Sequence, residues 1–154
     1  MALSQMDVCE AVRTALEEIE DIVAAYAPSQ SAPGAGGLPV ALQTVDMPAA
    51  LVMPGRTVSY VLNPGRHRHT WQLRVLLLIG GADFSEAAYI AGPMPDAVIA
   101  EMAQHLTANG YANVILLAEG TGLSTIEWAG YEYLGYELIF TVSEAAAVTV
   151  ATGE

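Results

Sequence analysis

The chain has 154 residues, a net charge of −12 and no lysine, which gives room for one domain with a real core and disfavours tight, counterion-driven binding to nucleic acid. Hydrophobic residues make up 53% against 14% charged and mean hydropathy is +0.39, yet no apolar run reaches the roughly 18 unbroken residues of a membrane helix, so part of the apolar surface is expected to meet partners. The N-terminal Met-Ala-Leu-Ser lacks the basic flank and apolar core of a secretory signal, and the single Cys9 has no intrachain partner, which together point to a reducing cytoplasm.

From Met6 to Tyr26 the apolar residues Cys9, Val12, Leu16, Ile19, Val23 and Tyr26 recur at alternating spacings of three and four. That period predicts one amphipathic helix, stopped by Pro28. Residues 28–40 are uncharged and rich in Pro, Gly, Ser and Ala, so they predict an extended flexible loop. From Ala49 the pattern changes to strands, with Pro54-Gly55 and Pro64-Gly65 as type II turn signals. Between them Val58, Tyr60 and Leu62 alternate with Thr57 and Ser59. After the second signal His69, Trp71, Leu73, Val75, Leu77 and Ile79 share one face. The other face turns apolar at Leu76 and Leu78, which predicts entry into the sheet centre.

Gly80-Gly81 ends that strand, and Ser85 to Ala91 suggests a short helix. A second helix is signalled by Pro95 at its first position, Asp96 near the positive dipole end, and a stripe of Val98, Ile99, Met102 and Leu106 ending at Asn109-Gly110. Val114 to Ala118 reads as a buried strand and Thr121 to Trp128 as a further one. In the last long strand Leu134, Tyr136, Leu138, Phe140 and Val142 face one way, with Glu132, Glu137 and Thr141 the other. Residues 144–154 form a weakly patterned tail. The class this order predicts is α+β: a single domain over 1–154 with a mixed, mostly antiparallel sheet, an N-terminal amphipathic helix and a second helix packed on it.

No motif for catalysis or a cofactor emerges. The glycine clusters at 34–37, 80–81 and 120–122 complete neither a dinucleotide nor a Walker fingerprint, and turn glycines are the commoner use. His67 and His69 share a strand face, but zinc needs three or four protein ligands and no neighbour supplies the rest. The chain is therefore expected to be no enzyme and to hold no metal or cofactor. Four of its five arginines, Arg56, Arg66, Arg68 and Arg74, fall close together with those histidines and form a basic island. At least one of them is expected to pair with an acidic group of a neighbouring subunit or tail protein, against the alternative of a solvated face. Tyr131 and Tyr133 are candidates either for an interface or for a second packed layer.

The element order of helix, loop, hairpin, long strand through Trp71-Gln-Leu-Arg-Val-Leu-Leu-Leu, helix and closing strand resembles the tail terminator, or tail completion, proteins of long-tailed bacteriophages. The most specific piece is Gly130-Tyr-Glu-Tyr-Leu-Gly-Tyr-Glu-Leu-Ile-Phe-Thr-Val, similar to the family's terminal strand. The resemblance implies a structural virion protein at the neck end of the tail, assembled in the host cytoplasm. It implies a homohexameric ring that caps the tail tube protein and offers a surface to the head-tail connector, with DNA passing through the lumen without specific binding and no membrane association. It marks no contact residue on either docking face. Other readings are a different neck or head-tail joining protein, or a small ligand-binding α+β domain.

Overall fold

The computed structural model describes residues 5–28, 42, 47–63, 66–80, 89, 92–104 and 114–147, and at 58–63, 66–68, 80, 114–118 and 144–147 the description is of the backbone. Among these residues the chain forms α1 (Gln5–Leu16), β1 (Ala24–Tyr26), β2 (Ala49–Asn63), β3 (Arg66–Gly80), α2 (Met94–Ala103), β4 (Val114–Gly120), β5 (Ser124–Trp128) and β6 (Tyr131–Ala147). The six strands make one mixed sheet in the order β1-β2-β3-β6-β4, with β5 also on β6. All pairings are antiparallel except β1 with β2. The α+β expectation is met.

Helix α1 buries Cys9, Val12 and Leu16 of the expected stripe, together with Val8, Ala11 and Ala15, but it ends at Leu16 rather than running to Tyr26. Two causes act together. Glu17, Glu18, Glu20 and Asp21 crowd the negative end of the helix dipole, and the backbone tightens there through Glu18 N–H to Ala15 O and Ile19 N–H to Leu16 O, both 3.1 Å. The following residues then gain a sheet partner: Val23 N–H donates to Pro48 O at 2.8 Å and β1 pairs with β2. Val23, expected on the apolar stripe, is 58% exposed.

Strand β2 passes straight through Pro54-Gly55, so that pair is no turn. Pro54 pairs with Leu73, and the register shifts between Pro54 and Thr57. Proline fits because β1 reaches only Leu51, and among the described residues no other strand pairs with the outer side of β2 at Pro54. Gly55 is needed for close approach, since a Cβ there would lie 3.1 Å from Gln72 O. Asn63 pairs with Arg66; Pro64-Gly65 between them lies outside the described residues, as do residues 29–40 of the predicted loop and all but Tyr89 of the short helix at 85–91. Helix α2 places Pro95 in its first turn, where the missing N–H is no loss, and ends at a Gln104 cap before Leu106. Strand β6 extends to Ala147, into the stretch expected to be patternless, because β3 pairs with it as far as Arg66 with Ala147; residues 148–154 lie outside the description.

Strand β3 sits between β2 and β6, which explains why both of its faces are apolar. On the helix side Trp71, Leu73, Val75 and Leu77 join Ala50, Val52, Tyr136, Leu138, Phe140 and Val142 beneath α1 and α2. On the other side Leu76 and Leu78 join Ala49, Leu51, Met53, Leu42 and Tyr133. Each buried leucine contributes about 1.5–3 kcal/mol. The crossing from β1 to β2 covers this second cluster with Leu42 and Met47. Gly135 locks the β3–β6 seam, since a Cβ on it would overlap the Leu77 carbonyl oxygen.

Candidate functional site

The register places Arg66 and Arg68 toward one end of the sheet and Glu127 and Glu132 toward the other. At one end is the β2–β3 arm. Arg66 pairs with Asn63 and Ala147, His67 with Leu62 and Ala146, Arg68 with Val61 and Ala145, and His69 with Tyr60 and Glu144. Arg56 lies on β2 within the register shift between Pro54 and Thr57; it is exposed and has no ion-pair partner among the described residues. His69 Nε2 is 3.3 Å from Thr57 Oγ1. No three His, Cys, Asp or Glu side chains gather into a metal-holding group among the described residues.

Arg74 stands apart from Arg66 and Arg68. It lies far along β3, where its Nε donates to Glu137 Oε2 at 2.7 Å and its Nη2 is 2.6 Å from the same oxygen. The two residues are diagonal neighbours, since Leu76 is the direct partner of Glu137. The pair is partly exposed, so it contributes at most about 1 kcal/mol. Arg74 thus meets its carboxylate within its own chain, leaving Arg66 and Arg68 at the end of the arm and Arg56 farther along β2.

At the opposite end β5 and β6 form a hairpin. Trp128 pairs with Tyr131 across Ala129 and Gly130, whose φ angles are 53° and 87°. Two successive positive φ values make this a type I′ turn, whose twist matches that of the flanking strands. Glu127 and Glu132 are direct cross-strand partners and both are exposed. Like charges in that position repel. Glu132 was singled out only as a solvent-facing residue of the last strand; its acidic partner is visible only once β5 is in register. The two tyrosines separate here. Tyr133 is 7% exposed and packs in the second cluster, with its hydroxyl accepting a 3.2 Å hydrogen bond from Leu42 N–H, whereas Tyr131 is 56% exposed beside the turn. Tyr133 is therefore a packed-layer residue, and only Tyr131 of the pair presents an aromatic surface.

A shallow cleft of about 390 Å³ lies where α1 meets β1, lined by Arg13, Glu17 and residues 22–26. Its cation is already engaged: Arg13 Nε donates to Glu10 at 3.0 Å, and its Nη1 pairs with Glu17. The hydrogen bond that Arg13 donates to Glu10 holds its guanidinium above the usual pKa, against the opposing effect of burial. Cys9 is fully buried in α1, as a core residue. No protein-family model matches the chain, and no curated protein matches it.

Proposed function

We propose that this chain is a structural subunit of a bacteriophage tail, the tail terminator, which closes the growing end of the tail tube as a ring and presents a different surface to the head-side connector. The observation that carries the reading is the element order, an N-terminal amphipathic helix, a long hairpin, a helix and a closing strand, on which the likeness to the family rests. The Gly130–Val142 stretch most similar to the family's terminal strand occupies β6, between β3 and the β4–β5 side of the sheet. The oily composition and the two-ended charge pattern also suit a subunit whose work is contact.

A tube built of stacked rings exposes at its end a face complementary to the next ring, and such heterologous contacts do not close by themselves. A terminator matches that face on one side and fails to recruit another tube ring on the other, which is specificity through a missing complement. Its acidic balance has a second use, since a negative lumen resists adhesion of passing DNA. The test is to add purified protein to polymerising tube subunits and measure tube length by electron microscopy. Shorter tubes with a distinct terminal ring are expected; unchanged lengths and ends at saturating protein, with tails lacking it still joining heads, would overturn the assignment.

A further inference from the structure

We propose that copies of this chain associate head to tail, with the acidic β5–β6 tip of one copy docking on the arginine-bearing β2–β3 arm of the next. The inference rests on the self-association in the proposed function and names its contact. It starts from an unfavourable arrangement. Glu127 and Glu132 stand directly opposite each other at an exposed turn, and no cation lies anywhere in residues 114–147. Such a pair costs stability in the isolated chain, and a docked cationic surface removes the cost. Tyr131 adds a half-exposed aromatic ring beside the carboxylates, the residue type that anchors protein contacts and accepts arginine stacking.

The complementary arginines stand on the same chain, at the other end of the sheet. Arg66 and Arg68 against Glu144 leave the end of the arm at 2 − 1 = +1 with the histidines neutral, and Arg56 adds a further cation along β2. The tip carries −2 from its two glutamates. Strand β3 runs from Arg66 at the arm to Gly80, which pairs with Leu134 near the tip. At about 3.3 Å per residue those fourteen steps separate the ends by roughly 45 Å, several times the ~8 Å screening length at physiological salt. The two patches cannot neutralise each other within one chain. A second copy brings them together, and because the patches differ, the contact is heterologous and repeats from copy to copy.

The experiment is a charge swap read by sedimentation velocity at low and high salt. One variant carries Arg66→Glu and Arg68→Glu, the other Glu127→Arg and Glu132→Arg. Each alone, folded by circular dichroism, is expected to lose self-association by about tenfold or more. An equimolar mixture regains it, since each variant then finds its complement on the other. Should a reversal fail to fold, Glu127→Gln with Glu132→Gln provides the second handle: association weakens and loses its salt dependence. Wild-type behaviour in either folded reversal, a mixture that stays dissociated, or a wild-type chain that remains monomeric at low salt overturns the contact. Tube length reports separately: capping lost with the swap behaviour intact defeats the terminator reading alone, and capping intact with a swap that has no effect defeats this contact alone.

Discussion

Ala129 is the residue whose backbone is most at odds with its side chain. A φ of 53° puts its Cβ against the following carbonyl, which costs an L residue about 1–2 kcal/mol. The turn keeps this conformation because Trp128–Tyr131 and Glu127–Glu132 fix the strands on both sides at a two-residue spacing. Ala129→Asn supplies the residue that type I′ turns favour at this position, and it is expected to raise the urea midpoint by an amount equivalent to about 1 kcal/mol. An unchanged or lowered midpoint would mean that the hairpin closes differently. Gly130, at φ 87°, has no such conflict. The turn escaped notice in the sequence because Ala-Gly lacks the Asn-Gly or Asp-Gly signature, and φ is a property of the folded backbone.

Among the elements, α1 and β2 show opposite departures from sequence expectation. The α1 stripe is correct through Leu16, and its continuation through Val23 is an accident of composition, since Val23 points to solvent. Carboxylates after the last turn face the negative end of the helix dipole. Glu18→Lys, at an exposed position just past α1, is expected to stabilise the chain by about 0.3–1 kcal/mol in denaturant titrations, with a smaller gain at high salt. A gain that does not respond to salt would assign the effect to something other than the dipole. In β2 a proline-glycine pair that commonly turns a chain is carried straight through, because pairing with β3 continues on the inner side while β1 has already ended on the outer side. Local turn chemistry yields here to the ladder on either side of it.

At the scale of the whole molecule, the sheet buries an apolar cluster on each face and places Arg66 and Arg68 at the far end of its strands from Glu127 and Glu132. Six copies would carry −72 in total, six times −12, so self-association needs local opposite charge to overcome the collective repulsion. A closed ring of six has a mass of 6 × 16.2 = about 97 kDa. Light scattering across a concentration series is expected to approach that mass, more readily at moderate than at very low salt if net repulsion dominates, and the reverse if the tip-to-arm contact dominates. A strict monomer, both free and in assembled tails, rules the ring out.

The sequence alone determined the α+β class, the start of α1, the two-sided apolar character of β3 and the alternation of β6, because each is a local period that a one-dimensional pattern records. It also marked the basic island, since the arginines on β2 and β3 are close in the chain. Only the tertiary structure decided the rest. Arg74 parted from the other arginines because Glu137, sixty-three residues away, lies beside it across the β3–β6 ladder. Tyr133 and Tyr131, alike by alternation, diverged because Leu42 reaches one of them and not the other. The Glu127–Glu132 pair, and its place at the far end of the sheet from Arg66 and Arg68, depend on strand register. Register is set by turns, bulges and burial acting at once, and no stretch of sequence contains all three.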